Sequence, residues 1–277
     1  MNPTEKALWF VEGHLPEAVS LDDVAKSSGV SRFHVTRAFG AATGRSVMGY
    51  VRSRRLTEAA RRLAAGAPDV LSVALDAGYA SHEAFTRAFR DQFGTTPGTG
   101  ARARLARQSR SRGADPDGPV LPHQPRAAAL RNQPAVSHAG LGERYSCETS
   151  AGIPIQWQRF GPYIGNIPDE IGDVAYGVCV NGDDACNFDY IAGVEVSDFS
   201  DLPREFSRVR VPAQKYAVFA HRDHISTIRR TVNTIWNKWL PASGHEVADA
   251  PEFERYGPEF DPRSGNGGLE IWIPVKA

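Results

Sequence analysis

Cysteine is scarce: three in 277 residues, Cys147, Cys179 and Cys186, with no C-x-x-C pair. The count is odd and the spacing is not that of a metal site, so the thiols are expected to be buried or free in a reducing cytosol. Long apolar runs are missing too. None approaches the ~20 residues a membrane span requires, and the opening Met1-Asn2-Pro3-Thr4-Glu5-Lys6 contains no apolar h-region. A cytoplasmic protein without a membrane partner is expected. There is no phosphate loop, no Gly-x-Ser-x-Gly and no dinucleotide fingerprint. His221-Arg222-Asp223-His224 sets two histidines around an acid, but it straddles a strand-to-helix junction, so the rings are not expected to converge on a metal. No catalytic residue, metal site or cofactor is therefore expected.

Net charge is also absent, with 32 Lys and Arg balancing 32 Asp and Glu. The balance hides a division. Residues 1–112 hold 17 basic against 10 acidic side chains and the remainder 15 against 22, which makes the halves +7 and −7. A basic half joined to an acidic half suits a nucleic-acid-binding domain tethered to a separate ligand or partner domain.

Within the basic half one stretch occurs twice. Val35-Thr36-Arg37-Ala38-Phe39 is answered about fifty residues later by Phe85-Thr86-Arg87-Ala88-Phe89. Upstream, Val24-Ala25 and Gly29 correspond to Val73-Ala74 and Gly78. The small Ala lets two helices approach, and the Gly tolerates the positive φ of a tight turn between them. Ser31 and Ser81 stand where an N-cap belongs. Both copies read as the second helix of a helix-turn-helix. Val35 with Phe39, and Phe85 with Phe89, are four apart and share a buried face, which turns Arg32, Arg37, Arg87 and Arg90 outward. There an arginine can bind guanine O6 and N7 through two parallel hydrogen bonds, or phosphate by charge; the plainer alternative is a solvated charged face. A lead helix is expected over Thr4 to His14, the first helix of unit one over Leu21 to Ser28, and a spacer over Ser46 to Ala65. That spacer, at ~30 Å, matches the ~34 Å between successive major-groove segments.

The paired units, the Gly78-Tyr79 turn, the Thr-Arg-Ala-Phe echo and the closing Phe93-Gly94-Thr95-Thr96-Pro97 together resemble the DNA-binding domain of the AraC/XylS family of bacterial transcription regulators, over roughly residues 3–105. The resemblance implies that Phe33, Thr36 and Arg37 in the first unit, and His82, Glu83, Thr86 and Arg87 in the second, fall where family members touch DNA. An arginine run from Arg102 to Arg112 then decays into Gly113, Pro116, Gly118, Pro119, Pro122 and Pro125, the signature of a linker over 106–125.

From residue 126 the texture becomes β-rich. Strands are expected at Val174 to Val180, Tyr190 to Val196, Gln214 to His221 and Leu269 to Val275, and helices near Glu148 to Arg159 and His224 to Leu240. The order suggests an α+β domain of two similar halves. Tyr176-Gly177, Asp189-Tyr190 with Gly193-Val194-Glu195-Val196, Phe253-Glu254-Arg255-Tyr256 with Pro262, and Leu269-Glu270-Ile271-Trp272-Ile273-Pro274-Val275 resemble the GyrI-like effector-binding fold, whose halves face each other across a cleft. Alternation along the last strand sets Glu270 and Trp272 on one face. A carboxylate there, among Trp157, Tyr176, Tyr190, Trp236 and Tyr256, would suit an apolar or cationic small molecule. The family resemblance also implies Glu270 as the ligand-facing acid, and Glu195 is a second candidate. An edge strand showing its Glu to water is the plainer alternative.

The expected protein is thus two domains, 1–105 all-α with paired helix-turn-helix units and 126–277 α+β and GyrI-like. It would be a sequence-specific transcription regulator, with double-stranded DNA, a small-molecule effector and RNA polymerase as partners. The competing expectation is a GyrI-like hydrolase of reactive small molecules tethered to a DNA-binding domain, since a carboxylate in an apolar pocket can act as general acid or base.

Overall fold

A computed structural model describes residues 1–67, 69–97 and 128–276. The arginine run and linker expected over 101–125 lie outside the described residues. Among the described residues the N-terminal region holds six helices: α1 (Pro3–Gly13), α2 (Leu21–Ser28), α3 (Arg32–Thr43), α4 (Val47–Ala64), α5 (Val70–Asp76) and α6 (His82–Phe93).

Local chemistry fixes their ends. Ser20, Ser31, Ser46 and Ser81 cap α2, α3, α4 and α6 by accepting a hydrogen bond from the backbone N–H three residues on, which satisfies a donor no helical carbonyl can reach. Gly29 closes α2 at φ 73° and Gly78 follows α5 at φ 85°, the left-handed backbone expected between the helices of each unit. Each unit has its own apolar core. Ala7, Val11, Val24, Ala25, Val35 and Phe39 pack with Val47 and Val51 of α4. Val73, Ala74, Phe85 and Phe89 pack with Leu56, Ala59, Ala60 and Leu63 from the other end of α4. The 18-residue α4, about 27 Å long at 1.5 Å per residue, is thus the rod shared by two cores.

The C-terminal region is an eight-stranded antiparallel sheet in the order β1-β6-β8-β7-β3-β4-β2-β5. Its strands are β1 (Ala129–Gln133), β2 (Val136–Ser146), β3 (Glu170–Val180), β4 (Asn187–Val196), β5 (Phe206–Val211), β6 (Gln214–His221), β7 (Glu252–Tyr256) and β8 (Leu269–Pro274). Between β2 and β3 runs α7 (Ile153–Phe160). Between β6 and β7 runs α8 (Ile228–Thr234), continued by a π-helical turn (Ile235–Trp239) and α9 (Leu240–Ser243). Each half is therefore strand, strand, helix, strand, strand in chain order, with the first strands exchanged so that β1 pairs with β6 and β5 with β2, and the halves meet where β3 pairs with β7.

The sheet buries both faces. On the helix-bearing face lie Tyr190, Ala192 and Val194 under α7 and Leu269, Ile271, Ile273 and Tyr256 with Ile235 and Trp236. On the opposite face Tyr176, Val178, Ile191, Tyr216, Phe253 and Trp272 form a separate cluster. Strands β1, β2, β5 and β7 were not expected from the sequence. The expectation of three uncombined thiols is also corrected: Cys147, just past β2, and Cys186, just before β4, form a disulfide with Cα atoms 5.7 Å apart, and Cys179 alone is free. The loops at those strand ends bring the two residues within bridging range, which spacing along the chain could not reveal.

Candidate functional site

Strand β7 supplies the acid at the centre of the C-terminal region. Alternation puts Glu252, Glu254 and Tyr256 on the helix-bearing face and Phe253 and Arg255 on the other. Tyr190 and Tyr256 each donate a hydroxyl hydrogen bond to Glu254 Oε2, at 2.7 and 2.8 Å, and Trp157 Nε1 donates to the Tyr190 hydroxyl at 2.9 Å. Gly177 of β3 lies opposite Glu254; a Cβ there would overlap the Tyr190 hydroxyl and the Glu254 carboxylate, so the glycine makes room for their contact. Burial pushes the Glu254 carboxyl above the ordinary carboxylate range, against the lowering effect of the two tyrosines and of Arg37.

Above this group opens a cleft of about 2570 Å³ between the two regions. Trp157, Ile153 and Pro154 of α7 line one side, Ile228 and Val232 of α8 the other, and Tyr50 and Arg52 of α4 the far wall. Such a space far exceeds a usual small-molecule pocket of roughly 300–1,000 Å³; beside Glu254 its lining includes Trp157, Tyr256 and Phe260. A carboxylate with polarised tyrosines and a tryptophan edge can attract a cation with apolar surroundings, by charge and by ring quadrupoles.

Of the effector residues expected from the sequence, Trp157 and Tyr256 line this cleft and Tyr190 lies buried beneath them, joined to both through its hydroxyl and Glu254. The others lie elsewhere. Glu270 lies on the opposite sheet face, away from Trp157, Tyr190 and Tyr256, 21% exposed, paired with Arg131 at 3.2 Å and Arg255 at 3.7 Å, and accepts a hydrogen bond from Trp272 Nε1. Trp272 and Tyr176 belong to that face's cluster, and Glu195 takes a hydrogen bond from the Tyr176 hydroxyl there. Trp236 is 1% exposed, packed in the helix-face core. Glu254 lies in the Phe253-Glu254-Arg255-Tyr256 stretch that resembles the GyrI-like fold, but its strand, three charges in five residues, carries no apolar alternation to mark it.

The expected DNA-facing residues divide sharply. In α6, His82, Glu83, Arg87 and Arg90 are exposed and Thr86 half-buried. In α3 only the first turn is open: Arg32 pairs with Asp22 and Asp184, and Phe33 rests edge-on against the Trp236 ring at 5.8 Å. Thr36 is buried. Arg37, expected to point outward, turns into the C-terminal region, where its side chain is 19% exposed. It pairs with Glu252 and stands 5.6 and 5.8 Å from the Phe188 and Trp236 ring centres. Burial pulls the Arg37 pKa below the usual guanidinium range and leaves its Nε–H without a partner, and the carboxylate that faces it stands more than two hundred residues away, which the N-terminal sequence alone could not announce. Among the described residues no helix is long and apolar enough to cross a membrane, and no group of three or more His, Cys, Asp or Glu could hold a metal.

Two sequence profiles match the chain on either side of residue 128. Residues 129–276 match the GyrI-like small molecule binding domain, and residues 24–103 match a helix-turn-helix domain. The chain belongs to the AraC/XylS family of transcription regulators, in the branch that carries a C-terminal GyrI-like domain, and is a DNA-binding regulator with a small-molecule-binding half. It is similar to the right origin-binding protein of Escherichia coli, 26% identical over 97% of this chain and 96% of that protein. It also resembles the transcriptional regulator BrlR of Pseudomonas aeruginosa, 32% identical over 53% of this chain and 55% of that one. The regulatory protein SoxS of Escherichia coli is 36% identical over 32% of this chain and 82% of its own length.

Proposed function

We propose that this regulator reads a specific duplex with both helix-turn-helix units and binds a lipophilic organic cation at Glu254. The DNA-contacting residues of this reading are Arg32, Phe33, Thr36 and Arg37 on α3 and His82, Glu83, Thr86, Arg87 and Arg90 on α6. The common rod α4 supports it, because its length suits two probes entering successive major-groove segments. In this reading residues 1–105 are the DNA-binding domain, 106–125 the linker and 126–277 the effector domain; the protein works in the cytoplasm and contacts RNA polymerase when bound upstream of a promoter.

The single observation that carries the effector assignment is the enclosed Glu254 carboxylate under Trp157, Tyr190 and Tyr256. Glu270 and Glu195, on the other face, serve the sheet rather than the ligand. Tetraphenylphosphonium, a bulky aromatic cation, is a suitable probe, with neutral triphenylphosphine oxide as the comparison. Titration by tryptophan fluorescence should give binding of the cation and little of the neutral compound, with Glu254→Gln weakening the cation at least about tenfold. Equal affinity for both compounds would refute the assignment.

A second reading has its own observation: a carboxyl of raised pKa beside two phenols is equipped for general acid–base work. We take the protein to be a regulator without turnover. Steady hydrolysis of a reactive small molecule by the full chain, lost in Glu254→Gln, would favour the hydrolase.

A further inference from the structure

Among the described residues the helix-bearing face of the sheet is covered by α7, by α8 with its continuation through α9, and by α3, which comes from the other half of the chain. The side of α3 turned away from Val35 and Phe39 carries Phe33, Arg37 and Gly40, at helical spacing. That is the side a recognition helix offers to a major groove, and here it is covered. His34 Nε2 donates to the Trp236 carbonyl at 2.8 Å, and Asn237 Nδ2 donates to the Ala38 carbonyl at 3.0 Å. Asn237 Oδ1 in turn accepts the Thr4 N–H of α1 at 3.1 Å, so one side chain holds two helices of the first unit. Gly40 rests directly on the Cys147 and Cys186 sulfurs, which leave no space for a Cβ. Trp236 and Asn237 both belong to the π-helical turn, Ile235–Trp239, whose altered hydrogen bonding leaves the Trp236 carbonyl for His34.

We propose that the C-terminal domain clasps α3 and so withholds the first reading unit from DNA, and that Arg37 is the residue through which an occupied effector cleft loosens the clasp. The inference rests on the DNA-reading and cation-binding assignments above. Its geometry is direct. Glu252, which pairs with Arg37, and Glu254, which floors the cleft, are alternate residues of β7 on one sheet face. Arg37 does not line the cleft, yet its charge reaches Glu254. A cation bound at Glu254 neutralises part of the field that holds Arg37 and sets a like charge near it. Cation and duplex then favour the same open arrangement, so each must raise affinity for the other by the same factor.

Gly40→Ala tests the clasp, since it favours the helix and leaves every proposed DNA contact in place while its methyl group collides with the disulfide. Glu252→Gln is the second variant, removing the partner charge without changing shape. The probe is duplex DNA selected from a random pool by the full-length Gly40→Ala chain. The expected result is about tenfold tighter binding by both variants than by the wild type, larger radii in X-ray scattering, and a gain in wild-type affinity on adding tetraphenylphosphonium that Glu254→Gln abolishes. Scattering that leaves Gly40→Ala as compact as the wild type overturns the clasp. Expanded variants that bind the duplex no better overturn the inhibition alone. A tighter grip by both variants without any response to the cation overturns the role of Arg37 as the link. If neither chain selects a duplex, the DNA-reading assignment fails, and the inhibition falls with it.

Discussion

Glu254 is kept where its charge is costly. Removing a carboxylate from water favours its protonated form, and the hydroxyls of Tyr190 and Tyr256 offset only part of that. Because its folded pKa lies above the unfolded value, the folded chain holds the proton over the interval between them, and stability falls as pH rises through that interval. Glu254→Gln should therefore raise the melting temperature at pH 7 while removing cation binding, a trade common where a site is built against stability. Cation affinity in the wild type should decline as pH is lowered through the raised pKa, since a neutral carboxyl attracts no cation; calorimetric titration at a series of pH values checks both. His138 has the opposite sign. It is 0% exposed, neither ring nitrogen has a hydrogen-bond partner, and burial takes its pKa down from 6.5 to about 4. Its contribution is intact above pH 6.5 and lost as pH falls toward 4, when the unfolded chain takes a proton that the folded chain refuses. The loss amounts to about 3 kcal/mol. Urea melts at pH 7 and 4.5 should show most of that difference vanish in His138→Phe.

At the level of elements, what the sequence disclosed follows from how local each signal is. Serine caps, left-handed glycines and four-residue apolar spacing are complete within a dozen residues, so α2, α3, α4 and α6 could be outlined from the chain alone. Such caps should be measurable: Ser81→Ala should cost about 1 kcal/mol, read as faster hydrogen exchange in the first turn of α6. Sheet signals are weaker when both faces are buried. Alternation in β8 separates Glu270 and Trp272 from Leu269, Ile271 and Ile273, but it cannot say which side carries the helices and the cleft. Sequence alternation therefore singles out Glu270 without placing it relative to the cleft, which opens on the other face. Strand β2 was missed because Gly140 and Gly142 imitate a turn; both are needed for close passage, Gly140 against the Ala192 carbonyl and Gly142 against the Ser207 side chain. Strand β7 was missed because Glu252, Glu254 and Arg255 outnumber its apolar residues.

Across the whole molecule the two recognition helices, so alike in sequence, occupy unlike surroundings: α6 is open and α3 is covered. The duplicated Thr-Arg-Ala-Phe announces a shared shape, and only long-range contacts with Glu252, Trp236 and Asn237 make the copies differ. Equivalent substitutions should consequently have unequal effects. Arg87→Ala should cost about 1–3 kcal/mol of specific binding in any background. Arg37→Ala should cost that much only in the Gly40→Ala chain, because in the wild type losing a DNA contact is offset by weakening the clasp. Fluorescence anisotropy on the selected duplex checks both, and equal losses from the two changes in the wild type would contradict the asymmetry. The uncovered arginines of α6 give that asymmetry a further meaning. A chain with one reader withheld can still rest on the chromosome by charge alone and move along it, so its response to a signal begins from a molecule already at the duplex, and the delay is that of one helix changing neighbours rather than of a search through the cell.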